Sequence, residues 1–547
     1  MKFLNCIILS AAFLFGCQRH PVAEHVVIGT IWTGNDQQPW AEAFAIVGDS
    51  IVAVGSKMEI DKWIGPETEV TESFSGNLIV PGFIDCHTHF MDGGFALSSV
   101  QLRDAKTPRE FIERIKAFAQ SQPKGVWILN GDWDHENWGG ELPSRDWIDS
   151  VTQDNPVWIN RLDGHMSLAN TAALKSAGIE ESVRPVAGGT IVRNSKGRLT
   201  GIFKDNAMSL VARAVPEATM EQEDAALEAA MNYVASHGVT SVHNVSGYMQ
   251  VFERARQEQK LKTRIYAGMM LEEWKLLSAK INEYGRGDKW LRIGSLKEFV
   301  DGSLGSHTAA FFEPYTDAPE DSGFFITPEN LLYQRIKSAD SAGLHIMTHA
   351  IGDKAIHTLL NIYQRVMIEN GVRDRRFRIE HAQHIHPDDI PRFAELEVIP
   401  SMQPYHAIDD GRWAEKLIGY ERCKTTYAFH SLFEAGAKVA FGSDWFVAPP
   451  IPMEGIYAAV TRQTLDGKNP DGWIPEQKIS VEQALKAYTL NAAYASFEEK
   501  VKGSIETGKL ADYVILNQNL FEIPPSSIRD VQVVRTVVGG KPVFVRN

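Results

Sequence analysis

Residues 81–89 read PGFIDCHTH. An apolar run that follows a Pro-Gly turn and ends on two histidines has the texture of a buried parallel strand with chemistry at its C-terminal end. Strand side chains alternate, so His87 and His89 project to the same side and can reach one ion. Seven more runs of this texture follow: GVTSVHN (238–244), TRIYAGMML (263–271), RIGSLKEFV (292–300), LHIMTH (344–349), RFRIEH (376–381), VIPSMQ (398–403) and KVAFGSD (438–444). Helical stretches separate most of them. One is 221–238, amphipathic and closed by Gly238 as a C-cap. Strands alternating with helices eight times predict an α/β fold, a TIM-like (β/α)8 barrel.

Six of the eight runs end on, or contain, a metal-capable side chain. These are His87 with His89, His243, Lys297, His349, His381 and Asp444. Singly each is weak, because a strand-end His is usually a hydrogen-bonded structural residue and an Asp after Gly-Ser is usually a turn or cap. The set is stronger, because its members recur at equivalent places of a repeated unit, where barrel enzymes gather their catalytic groups. The chain has four Cys (Cys6, Cys17, Cys86, Cys423) and no CxxC pair, so a thiolate zinc site is excluded. His, carboxylate and amine ligands suit Zn, Fe, Mn or Ni.

Working outward, the segment 25–80 carries short strands and turns, and 500–547 has the same texture, with Gly539-Gly540 as a hairpin signal. Together they predict one composite β-sandwich domain around a barrel at 81–499, with an insertion at about 92–225 after the first strand. The runs VWILNGD (126–132) and VWINRLDG (157–164) fall in that insertion. Lys2 and the apolar run 3–16 form a signal peptide, too short to span a bilayer. The segment LFGC (14–17) makes Cys17 a lipidation site, with Gln18 after it favouring the outer membrane; an ordinary signal peptide cleaved nearby is the alternative. Either implies export to a bacterial cell envelope, the first through a lipid anchor in the membrane. With 44% hydrophobic and 23% charged residues the remainder is globular. A formal charge of −14 argues against a nucleic-acid partner. Nothing in the sequence sets an oligomeric state.

PGFIDCHTH resembles the first-strand signature of the metal-dependent amidohydrolase superfamily. KEFVDGSLGS, THAIGD, RIEHAQ, MQPYHAIDDGRWAEKLIGYER and FGSDW together resemble its group 3 (YtcJ-like) family, as do GHMSLANTAAL, GTIVRNSKGRLTGIFKDNAM and GSIETGKLADYVIL. The resemblance runs through nearly the whole chain after the leader. It implies that His87, His89, His349 and His381 are ligands of one or two divalent transition metals, zinc first, and that Asp444 is both ligand and general base. It implies that Lys297 is N-carboxylated and bridges two ions; unmodified, Lys297 would pair with Asp301. The chain departs from the family at Gly305-Ser306-His307, where Arg is usual in the third place.

These residues predict hydrolysis of a non-peptide C–N bond in a small amide-type substrate, by attack of metal-activated water. Asp444 takes the proton and returns it to the leaving nitrogen. His243 is a candidate oxyanion partner, against a packed strand-end histidine as the plainer role. His165, on the insertion, His406 and Trp445 are candidate substrate-binding residues; Trp413 is read as core. Three alternatives stand beside this reading. One is a deaminase, which would carry a Glu in an HxxE after the fifth strand, where this chain has His349-Ala350-Ile351-Gly352. The others are an envelope metallodipeptidase, marked by a carboxylate-binding cation near the mouth, and a non-catalytic binding lipoprotein.

Overall fold

The computed structural model describes residues 22–245 and 247–546. The leader and Cys17 lie outside the described residues. All eight strands expected from the sequence are present, and we number them β1 (Phe83–Thr88), β2 (Val239–Asn244), β3 (Arg264–Met270), β4 (Leu291–Phe299), β5 (His345–Ala350), β6 (Arg378–His381), β7 (Ile399–Met402) and β8 (Ala440–Phe441). They pair in parallel and in chain order, β1 beside β2 and so on to β8. Almost every residue of these strands is buried, which is why they read as continuous apolar runs.

The barrel closes by a short seam. Thr88 and Trp445 form a parallel bridge, the Asp444 N–H donates to the His87 carbonyl at 2.8 Å, and the His89 N–H donates to the Trp445 carbonyl at 2.7 Å. Gly442 makes that approach possible: a Cβ there would stand 2.5 Å from the His87 nitrogen and 2.8 Å from Asp85 Oδ1. Asp85 ties the seam from β1, accepting from the Ser443 backbone at 2.8 Å and the Ser443 hydroxyl at 2.5 Å.

The helix Met220–Ser236 shows how local signals set the connections. Thr219 and Gln222 form a capping box at its start, and Gly238, with φ 85°, turns the chain out of its end into β2. Between β1 and this helix lies a separate five-stranded sheet built from Ile128–Leu129, Val157–Asn160, Met166–Ala169, Gly189–Arg193 and Leu199–Asp205. It has apolar cores of its own, one of which packs the helix Pro108–Ser121 through Phe111 and Ile115.

Both ends of the described residues meet in one eight-stranded sheet. Leu78–Pro81 runs antiparallel to Tyr513–Leu516, which pairs in turn with Val533–Val538. Period-two alternation sorts its side chains: Val27, Phe44 and Ile46 join one core with Tyr513 and Val537, while Val26, Ala43 and Ala45 face another. Gly539 and Gly540, both at positive φ, make the two-residue turn of the last hairpin. Among the described residues no helix is long and apolar enough to cross a membrane.

A buried ion pair joins this sheet to the barrel. Arg264 on β3 donates Nε and Nη2 to the two oxygens of Asp512 at 2.6 and 2.8 Å, and the Gly539 N–H also donates to Asp512. Removing one partner of such a pair leaves the other charge buried. Asp512→Ala is therefore expected to lower stability by roughly 3–5 kcal/mol, read as a lower urea midpoint. A midpoint equal to wild type would show that the pair does not couple the two units.

Candidate active site

A cavity of about 530 Å³ opens at the C-terminal ends of the barrel strands. His89, Lys297, His349, His381 and Asp444 line its floor, and the insertion supplies the opposite wall with Leu129, Trp158 and His165. His87 lies just beneath, fully buried. Ligand-capable atoms of His87, His381 and Asp444 all fall within 4.8 Å of one another. Asp444 Oδ1 is 3.3 Å from His87 Nε2 and 3.5 Å from His89 Nε2. Lys297 Nζ is 3.4 Å from His87 Nε2, and the His349 and His381 rings are 4.5 Å apart. All six residues expected as ligands thus surround one small volume.

Hydrogen bonds behind the rings set which nitrogen faces that volume. His87 Nδ1 lies against Glu380, and His381 Nδ1 meets Gln403 Oε1 at 2.8 Å, so each presents Nε2. His349 donates Nε2–H to the Gly302 carbonyl at 2.9 Å, which leaves Nδ1 as its lone pair. Burial holds the His87, His349 and His381 pKa values well below the ordinary range, so the rings are neutral and able to ligate. Burial pushes Asp444 up to about 7 against the pull of Lys297, and pushes Lys297 down to about 8. Asp444 Oδ1 is buried and accepts no hydrogen bond. Three neutral imidazole nitrogens turned inward beside a carboxylate oxygen with no donor form the donor set of a divalent transition-metal site. His381 and Asp444 also adopt positive φ, 72° and 61°, a region costly for residues with a Cβ. The backbone is bent at the two points where these side chains turn into the site.

The remaining expected residues divide. His165 lines the cavity; its Nδ1 is 2.7 Å from Asp205 Oδ1 and its ring is 5.1 Å from that of His349. Burial opposes its charge, but the Asp205 hydrogen bond and nearby carboxylates outweigh that and raise its pKa. His406 lines the cavity with its ring parallel to His381 at 6.4 Å, and its buried Nε2 has no hydrogen-bond partner. His243 does not line it. It sits below, fully buried, with Nδ1 accepting from Arg378 at 3.0 Å and its ring edge-on to Tyr266. Trp445 is corrected to a core residue: it stacks on Tyr233 at 5.5 Å and packs so closely on the helix after β1 that a Cβ on Gly93 would meet its ring. The seam turns the chain after Asp444, so neighbours in sequence leave in different directions. Trp413, read as core, packs on the main apolar core and also lines the cavity. Lys297 is not paired with Asp301. That carboxylate accepts backbone N–H groups of Ala310, Ile351 and Gly352 at 2.8–3.0 Å, while the charges acting on Lys297 are Glu380 and Asp444. His307, where the family usually has Arg, pairs with Asp317 at 3.0 Å.

Two groups escaped the sequence reading. The first is Arg378 and Glu380 on β6, both fully buried. Arg378 Nε is 2.7 Å from Glu380 Oε1, and Glu380 Oε2 also accepts from Ser401 at 2.7 Å and backs His87. Opposite charges two apart within a strand read as buried are sustainable only when paired, which was the available signal. The second is Arg161 on the insertion, held between Asp134 at 3.1 Å and Asp163 at 2.7 Å. Asp163, two residues on, was the available signal, while Asp134 is met only in the folded chain.

The sequence model of the amidohydrolase family matches residues 74–544. Protein LONG AFTER FAR-RED 3 of Arabidopsis thaliana is 39% identical over 534 residues, covering 95% of this chain and 91% of that protein. An N-substituted formamide deformylase of Arthrobacter pascens is 27% identical over 542 residues, covering 94% and 97%. The crystal structure of an uncharacterized metal-dependent hydrolase from Pyrococcus horikoshii superposes with a TM-score of 0.74 at 27% identity, covering 92% of this chain and 99% of that one. Barrel, inward histidines and family match agree: the chain belongs to the amidohydrolase family.

Proposed function

We propose that this metal-dependent hydrolase cleaves a non-peptide C–N bond of amide type. The observation that carries the reading is the His87–His381–Asp444 cluster, ringed by His89, Lys297 and His349 at the floor of the cavity. Those six residues would hold one or two divalent ions, zinc first, and a metal bound there would acidify a water and polarise the substrate carbonyl. Asp444 takes the proton of the attacking water and returns it to the departing nitrogen as the C–N bond breaks. The burial that lifts its pKa suits both halves of that exchange. His165, oriented by Asp205, is the donor to the carbonyl oxygen, a role better placed there than on His243 below the floor. Burial favours a neutral Lys297 amine, the form that attacks carbon dioxide to give a carbamate with loss of one proton.

The similarity to an N-substituted formamide deformylase supports an amide-type substrate. Two observations weigh against the alternatives. The fourth residue of the HxxE pattern is Gly352, where a Cβ would stand 2.1 Å from the Ala310 carbonyl, so a deaminase glutamate has no room. Arg161, the cation on the wall, already pairs with Asp134 and Asp163, which disfavours a dipeptide carboxylate. For the chain's location we propose export and anchoring through lipid on Cys17.

Purified enzyme reconstituted with zinc is expected to hold metal stoichiometrically and to turn over members of a panel of N-formyl and N-acyl amides, dipeptides and lactams. Asp444→Asn should fold and lose about 10²–10⁴-fold in kcat/KM. Wild-type rates in that variant, or a protein without metal, would sink the assignment. Glu380→Gln keeps the shape but weakens the grip on His87 Nδ1–H, and metal affinity should fall by about 10–100-fold in a chelator competition. Unchanged affinity would reduce Glu380 to a packing role. Cys17→Ser should abolish incorporation of labelled fatty acid in a bacterial host; label retained in the variant would remove Cys17 as the anchor.

A further inference from the structure

A second cavity, of about 1060 Å³, adjoins the first on the insertion side. Asp92, Leu129, Asn130 and Val215 line both, so the two chambers share one partition. The polar members of the partition are held from the second chamber: Tyr248 donates to Asp92 at 3.1 Å, and Asn130 donates to Ser99 at 2.9 Å. The apolar members, Leu129 and Val215, continue the apolar wall that Trp158, Met208 and Ala212 form in the first cavity. Beyond the partition the surface is again largely apolar, with Phe95, Phe118 and Trp127 inside and the exposed Leu97 and Val126. Lys and Arg are absent from this lining among the described residues; its carboxylates are Asp92, Glu217 and Glu223, the last paired with Arg254 at 3.0 Å.

We infer that the second chamber is the subsite for an extended apolar arm of the substrate. The scissile amide lies over the metal-binding floor, and an alkyl or aryl substituent passes Leu129 and Val215 into the chamber. Its far end bears no carboxylate, because the lining holds carboxylates and no cation to receive one. This rests on the amide-hydrolase reading and narrows it to amides with long apolar substituents that end without an anion. Each methylene that reaches the apolar wall should strengthen binding by about threefold.

The test is a series of N-alkylformamides, methyl to decyl, measured for binding and for kcat/KM on the zinc-loaded full chain. Ala225 is exposed and Ala229 half-buried on the helix Met220–Ser236, and both face the chamber. Neither lines the first cavity, so Ala225→Trp/Ala229→Trp narrows the chamber and leaves the chemistry in place. Binding by wild type should tighten along the series by roughly threefold per methylene and then level off. In the double variant it should level off several methylenes earlier, with the methyl compound unchanged. Flat binding in wild type, or an unaltered series in the variant, overturns the subsite whether or not the compounds are hydrolysed. Length-dependent binding without turnover of any member keeps the subsite and sinks the amide-hydrolase reading.

Discussion

The hydrogen bond from the Asp444 amide to the His87 carbonyl holds together more than two residues. It closes the barrel between β8 and β1, where no longer ladder exists, and it brings the most distant site residues of the chain into one cluster. The first strand supplies two imidazoles and the last supplies the carboxylate, so the site is complete only when the sheet has gone full circle. Gly442 is part of the same constraint, since any side chain there would collide with the His87 backbone. Architecture and chemistry share a seam, and a fault in either would be felt in both.

Below the floor runs a chain of buried polar contacts: His243 to Arg378, Arg378 to Glu380, Glu380 to His87. An ion pair in so dry a place is costly unless its remaining donors and acceptors are satisfied. Here Arg378 also donates to the Cys86 carbonyl at 2.5 Å and to Ser401 at 2.9 Å. The network gives the floor a fixed tautomeric pattern, which an apolar core could not. It also explains a histidine at the end of β2 that looks from sequence like a site residue: His243 accepts from the arginine that holds Glu380.

The barrel strands were legible because burial on both faces writes itself as uninterrupted apolar runs, and strand ends with metal-capable side chains stand out against that background. The six floor residues were legible for the same reason, since strand position alone brings them together. What escaped depends on direction or on distant partners. Trp445 follows Asp444 in sequence, yet the seam sends it into the core against Tyr233. Trp413 reads as packing until the loop carrying it is folded over the mouth. Arg161 takes its meaning from Asp134 as well as from Asp163 two residues on, and nothing in the sequence brings Asp134 to it. Lys297 was given the wrong neighbour, because Asp301 is near in sequence but spends both oxygens on backbone amides.

The sheet that holds both ends of the described residues has a kinetic meaning. Leu78–Pro81 waits for Tyr513–Leu516 as its antiparallel neighbour, so that pairing must bridge almost the whole length of the polypeptide. Such non-local closure is slow, because loop entropy is spent before any contact rewards it. Until that pairing forms, the early strands keep one edge unpaired. Completion of this enzyme is thus a late event, and the exposed edge of Leu78–Pro81 is where a chaperone or an unwanted neighbour would first find it.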